Sequence, residues 1–185
     1  MTDILEEMEA RIRALPAAER AKLEKKLAPR LARPWHPQPG KQTDAYFSEA
    51  DELLYGGAAG GGKTDLLIGL ATTAHQKSLL FRRQSNDLDG LWQRLSDIVA
   101  GRTAMMNSVK KQARLLDNRT IEGGHLEKPG SERSWQGRPH DLIGFDEGAQ
   151  LDEFKVAFVI QWIRSTTKGQ RQRMKGAYGG RPVSA

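Results

Sequence analysis

Apolar side chains recur along this chain in two rhythms. Ile4, Met8, Ile12 and Leu15 fall at helical spacing with Glu and Arg between them, and after Pro16 the series Leu23, Leu27, Leu31 repeats every four residues. The pattern predicts two amphipathic helices over residues 1–33, with Pro16 in the first turn of the second. Such a pair either packs on its own domain with its charges solvated, or serves as an arm for an assembly partner. Pro34, Pro37, Pro39 and Gly40 break the rhythm and predict an irregular linker over 34–40. From Lys41 onward, short apolar runs alternate with longer periodic segments. Residues 53–55 (LLY), 78–82 (SLLFR) and 142–145 (LIGF) read as buried strands. Residues 64–75 read as an apolar helix. Leu88, Leu91, Trp92, Leu95, Ile98 and Val99 line one face of another, capped near Ser85 or Asn86. Residues 114–116 and 120–121 flank Asp117-Asn118-Arg119 as a β-hairpin would. The stretch 127–140 is polar and loop-like, and Phe154, Phe158, Val159 and Trp162 predict a final helix. Strands alternating with helices predict an α/β fold with a parallel sheet.

Composition narrows this picture. The 185 residues suffice for one domain with an appendage. There is no cysteine, which excludes disulfides, thiolate nucleophiles and Cys-type zinc sites. The longest nearly apolar stretch, 66–71, is too short to span a bilayer, so no membrane partner is expected. The acidic start MTDILEEMEA lacks the basic region of a secretory signal, which predicts a cytoplasmic protein. The net charge of +6 and pI near 9.7 point to a polyanion partner. Located along the chain, the surplus is +2 over 1–33, −1 over 34–150 and +5 over 151–185, so it sits mostly in the last 35 residues.

The chemistry lies in the neutral middle. Gly57-Ala58-Ala59-Gly60-Gly61-Gly62-Lys63-Thr64 matches G-x-x-x-x-G-K-[ST] at every position. Small residues let consecutive backbone N–H groups curl around phosphate oxygens, and the following helix points its positive end at them. Lys63 supplies charge for the outer phosphates, and the Thr64 hydroxyl can ligate Mg²⁺. A strand before this P-loop and a helix after it are the context the motif requires. The second element is the apolar strand 142–145 ending in Asp146-Glu147. Asp146 suits a contact to Mg²⁺, and Glu147 can polarise a water for attack on a γ-phosphate. The adjacent acid favours ATPases, and Asn118-Arg119 is no N-K-x-D base-reading motif. Arg82, Arg83 and Arg164 are candidates to stabilise transition-state charge; each also fits an ordinary surface arginine at an element end. Gln42, upstream of the first strand, has an amide suited to an adenine edge.

These residues resemble a family. The run 39–46 (PGKQTDAY), the segment from Leu54 to Thr64, 80–83 (LFRR), 136–141 (QGRPHD) leading into Phe145-Asp146-Glu147, then 162–167 (WIRSTT) and 169–171 (GQR) are similar to the ATPase part of tailed-phage terminase large subunits. The resemblance covers about residues 35–171. It implies a P-loop NTPase of the additional-strand, catalytic-Glu type, with ATP and Mg²⁺ as cofactors. It would assign Gln42 to adenine, 57–64 to phosphates, Thr64 and Asp146 to Mg²⁺, and Glu147 to water activation. It also implies a motor that moves double-stranded DNA into a procapsid through a portal, working with a terminase small subunit and as a homo-oligomeric ring when complete.

The resemblance stops near Arg171. Family members continue with an apolar strand, a coupling motif and a nuclease domain, whereas this chain reads QRMKGAYGGRP. Gly176, Gly179, Gly180 and Pro182 oppose a buried strand. The expected organisation is therefore a helical arm over 1–33, a linker over 34–40, an incomplete ATPase domain over 41–171 and a basic, disordered tail over 172–185. A frameshift near Gln172 would account for the change, and the lost central strand would leave the domain marginal. The leading function is an ATPase segment of a packaging terminase. A non-catalytic remnant or nucleotide-binding assembly module is the alternative, and another translocase or helicase of the same ATPase class is a third.

Overall fold

A computed structural model of the chain describes residues 11, 14–22, 33–57, 60–165 and 167–178, with the side chains of 175–178 excepted. The chain divides into two compact units, 1–33 and 34–185. In the first, residues 17–22 are helical, and the Pro16 carbonyl accepts the amides of Glu19 and Arg20 at 3.0 Å each. Proline thus opens a helix, where its missing N–H costs nothing. Most of the apolar positions that define the expected arm (Ile4, Met8, Ile12, Leu23, Leu27, Leu31) lie outside the described residues.

The second unit is built on one sheet of seven strands: β1 (Glu52–Gly56), β2 (Lys77–Arg82), β3 (Thr103–Asn107), β4 (Gln112–Leu115), β5 (Thr120–His125), β6 (Leu142–Asp146) and β7 (Arg173–Tyr178). Their spatial order is β1-β7-β6-β2-β5-β4-β3. The first five in that order run parallel, and β4 and β3 return antiparallel at the far edge. Among the described residues four α-helices belong to this unit: α1 (Lys41–Phe47), α2 (Lys63–Thr73), α3 (Asp87–Ile98) and α4 (Glu153–Ile160).

Period-two alternation divides the core between the two faces of the sheet. Leu80 and Leu142 point to the side covered by α1, α2 and α3, where they meet Leu66, Leu67, Leu70, Leu91 and Leu95. Leu79, Phe81, Ile143 and Phe145 point to the other side, covered by α4 and a short 3-10 helix at Ser131–Trp135. There Phe81 stacks on Phe145 at 5.5 Å and meets Trp135 edge-on at 5.3 Å. All five residues of β6 are buried, as a parallel strand covered on both faces demands. Helix α2 is apolar nearly all round because it lies between the sheet and Trp35. A Cβ on Gly69 would come within 2.1 Å of the Trp35 ring, so only glycine admits that indole.

The structure corrects one expectation outright. Residues 173–178 are not part of a disordered tail. They form β7, inserted between the P-loop strand and the acidic strand, in register with Glu52–Gly56 on one side and Leu142–Asp146 on the other. The expected loss of a central strand therefore does not occur. Backbone pairing explains how so polar a segment holds this position. Main-chain ladders on both edges need no apolar side chain, and the Met174 amide reaches Asp51 O while the Arg173 amide reaches Asp141 O, both at 2.8 Å. Met174 adds an apolar contact to the α4 side of the core. Arg173 bears a cost: burial, with Arg171 nearby, lowers its pKa. Two further elements, α1 and β3, were not anticipated from the apolar pattern.

Candidate nucleotide-binding site

The P-loop leaves the carboxyl end of β1 and runs into α2. Gly60 and Gly62 sit at φ +81° and +68°, the left-handed region that glycine enters freely and that lets the chain turn back on itself before the helix. Gly62 is the residue preceding α2, and its carbonyl accepts the first helical hydrogen bond, from Leu66 N at 2.9 Å. Lys63 Nζ folds back over the loop and donates to Gly57 O at 2.9 Å. The Tyr55 hydroxyl donates to Gly61 O at 3.4 Å. Ala58 and Ala59, expected to contribute amides to a phosphate cradle, lie outside the described residues.

Gln42 is drawn to this loop and buried there at 4% exposure. Its Nε2 donates to Gly62 O at 2.9 Å, and its Oε1 accepts Gln38 N at 2.6 Å. The amide suited to an adenine edge is thus engaged at both ends, tying α1 and the preceding linker to the phosphate loop.

The two motifs, some eighty residues apart in sequence, meet at the carboxyl edge of the parallel strands. Thr64 Oγ1 donates to Asp146 Oδ2 at 2.9 Å. Asp146 ends β6 and is buried at 1% exposure. The same Oδ2 accepts Arg82 Nε at 2.9 Å and Nη2 at 2.6 Å from the end of β2, and Arg82 Nη1 donates to Asp87 O at 3.0 Å. A hydroxyl and a carboxylate this close offer two oxygen ligands to a hard cation such as Mg²⁺, which takes its other ligands from phosphates and water. Among the described residues no group of three or more His, Asp or Glu side chains forms a protein-only cage. Thr64 and Asp146 supply two of the oxygen ligands that a metal–nucleotide complex would need.

Glu147 follows Asp146 in the left-handed region at φ 56°, one of three non-glycine residues among those described with positive φ. This turn swings its side chain off the strand axis into partial exposure. Gln150 Nε2 donates to its Oε2 at 3.1 Å. The acid chain beyond the site is held by Lys155 of α4, whose Nζ donates to the carbonyls of Leu126, Glu127 and Lys128 at 2.7–3.1 Å.

The arginine candidates separate. Arg82 contacts the site directly. Arg83 is exposed one residue beyond β2, at the same carboxyl edge. Arg164 is elsewhere: its amide reaches His140 O at 2.9 Å and Ile163 bridges His140, which precedes β6. That is the amino edge of the sheet, roughly 20 Å along the extended chain from Asp146. The guanidinium rests on the Trp162 ring at 5.0 Å. Within one copy of the chain, Arg164 does not join the nucleotide site.

These features define the class: a P-loop NTPase fold in which an added strand separates the P-loop strand from the acidic strand. No protein-family model and no curated protein matches the sequence. Among solved structures the chain shares its fold with phage large terminases. The HK97 bacteriophage large terminase superposes with a TM-score of 0.56 at 13% identity, over 78% of this chain and 33% of that one. The large terminase of the thermophilic bacteriophage D6E gives 0.56 at 17% identity, over 80% and 40%. A second D6E structure, in complex with ADP, gives 0.52 at 16% identity, over 75% and 37%. The chain thus spans a third to two fifths of the length of these structures. Among the described residues no helix is long and apolar enough to cross a membrane.

Proposed function

We propose that this chain is the ATP-binding and ATP-hydrolysing module of a phage DNA-packaging terminase. The observation that carries the reading is the 2.9 Å contact between Thr64 Oγ1 and Asp146 Oδ2 at the carboxyl edge of a parallel sheet. In open α/β sheets this edge is where ligands bind. In the proposed cycle the Gly60–Gly62 turn and the start of α2 bind the phosphates, and Lys63 leaves Gly57 O to meet their charge. Thr64 and Asp146 would hold Mg²⁺, which would supply charge neutralisation for the phosphates. Glu147 accepts a proton from the attacking water. Arg83, exposed at the same edge, would approach the γ-phosphate, and Arg164 would reach a nucleotide only across a contact between copies. Transfer of this chemistry to double-stranded DNA, with a small subunit and a portal, belongs to the complete motor.

Titration with a fluorescent ADP analogue in the presence of Mg²⁺, followed by phosphate-release assays, tests the reading. Binding and turnover are expected in the parent. Lys63→Ala loses both, whereas Glu147→Gln keeps binding and loses turnover by about a hundredfold or more, the usual size of a general-base effect. Binding with no turnover in the parent supports the non-catalytic assembly module instead. Absence of binding in the parent overturns both.

A further inference from the structure

Asp146 already has a cation. Its side chain is 2% exposed, and a carboxylate so buried requires a compensating charge. Arg82 supplies it with two donors, Nε and Nη2, on a single oxygen, Oδ2. That oxygen is the one to which Thr64 donates, so a metal held jointly by Thr64 Oγ1 and Asp146 Oδ2 would meet the guanidinium there. A divalent cation bound through this oxygen would displace the guanidinium from it. Mg²⁺ sits about 2.1 Å from its oxygen ligands and demands near-octahedral access. Nη2 at 2.6 Å and Nε at 2.9 Å from Oδ2 occupy that approach. Arg82 is also tethered from behind by Nη1 on Asp87 O, at the first residue of α3. The side chain is 18% exposed, leaving it a route toward solvent at the carboxyl edge.

We propose that Arg82 is a positioning residue that acts as a tethered cation: it holds Asp146 in place without metal and competes with a divalent cation for that carboxylate, giving up Oδ2 when the cation is bound through Oδ2 and Thr64 Oγ1. This rests on the nucleotide-site reading above. It makes the site discriminate against metal alone. One carboxylate and one hydroxyl are too few ligands to displace a two-donor guanidinium, whereas phosphates supply further metal ligands and a new anionic partner for the released arginine. The exchange is favoured when metal and nucleotide arrive together. It also couples the occupancy of the metal position to the start of α3 through the Arg82–Asp87 contact.

Electron paramagnetic resonance of free and bound Mn²⁺, used in place of Mg²⁺ and without nucleotide, tests this directly. The parent is expected to bind Mn²⁺ weakly. Arg82→Gln is expected to bind it about ten- to a thousandfold more tightly, the range by which one adjacent charge alters a carboxylate's affinity for a competing cation. Arg82→Lys, which keeps the charge but not the fork, falls between the two and serves if the Gln variant does not fold by circular dichroism. Mn²⁺ affinity unchanged or weakened in a folded variant overturns the proposal. The fluorescent ADP analogue with Mn²⁺ separates the two ideas. A parent that binds no nucleotide removes the function proposed above. A parent that binds nucleotide while folded Arg82 variants show no gain in metal affinity removes only the role of Arg82.

Discussion

At the residue scale the site is assembled from side chains whose local backbone is under unequal strain. Glycine occupies the left-handed positions of the P-loop at no steric cost, but Glu147 takes the same region at φ 56° with a full side chain. A non-glycine residue there costs on the order of 1–3 kcal/mol and persists where its surroundings hold it. Asn enters this region far more readily than Glu. Glu147→Asn is therefore expected to raise the stability of the fold by about 0.5–1 kcal/mol in urea unfolding, while removing turnover and keeping nucleotide binding. A variant less stable than the parent would show that Glu147 is held by contacts worth more than its backbone strain. Both halves of the site were legible in the sequence as motifs. The Arg82–Asp146 pair was not legible: Arg82 reads as a candidate for transition-state charge and Asp146 as a metal contact, and an arginine ending one strand and an aspartate ending another reveal nothing of each other until the strand order places β2 beside β6. Gln42 shows the opposite case. Its amide suits an adenine edge on sequence grounds, but the partner the fold gives it, Gly62 O, is set by how α1 packs beside the loop.

At the element scale a polar cluster ties the strands to the loop that leads into β6. Glu122 of β5 accepts Arg138 Nη2 at 2.6 Å and Gln112 Nε2 at 3.0 Å, and its Oε2 lies 2.8 Å from His140 Nε2. Burial pushes the Glu122 pKa up, but the hydrogen bond from His140 and the charges of Arg138 and His140 outweigh it and hold the carboxyl below its ordinary value near 4.5. The folded chain thus binds this proton more weakly than the unfolded one. Its stabilisation is complete above the ordinary value and disappears as pH falls through the lower folded value. Replacing the carboxyl with an amide, Glu122→Gln, is expected to cost about 1–2 kcal/mol at pH 7 and to flatten the acid limb of the stability curve. Urea midpoints at several pH values from neutral to acid check this, and an acid limb as steep as the parent's would exclude Glu122 as its source. Apolar rhythm located β1, β2, β6, α2, α3 and the hairpin because each buries one face or two. It passed over α1, seven residues long with few apolar positions, and β3, an edge strand whose burial does not alternate. Neither has the period from which a reading could be made.

At the scale of the whole molecule the decisive element is the strand that composition argued against. Arg173–Tyr178 carries two basic residues and a glycine in six positions, a segment that hydrophobicity alone assigns to solvent. Yet β7 joins the P-loop strand to the acidic strand, and without it the sheet divides between β1 and β6. Position in the sheet, not side-chain character, makes it structural: its main chain pairs over five positions with each neighbour. A net gain of about 1 kcal/mol per hydrogen bond over two ladders is comparable with the 5–15 kcal/mol that holds a typical domain together. Shortening the chain to end at Gln172 is therefore expected to abolish cooperative unfolding and nucleotide binding together, because the phosphate loop and Asp146 then lose their common frame. Gly176→Pro, which removes a ladder amide in the 185-residue chain, is expected to do the same through one position. Glu147→Gln serves as the control, since it alters the chemistry and leaves both ladders in place. Differential scanning calorimetry distinguishes the outcomes: a shortened chain that still melts in one sharp transition near the parent's temperature would show that the sheet closes without β7, with β1 held to the domain by α1 and α2 alone.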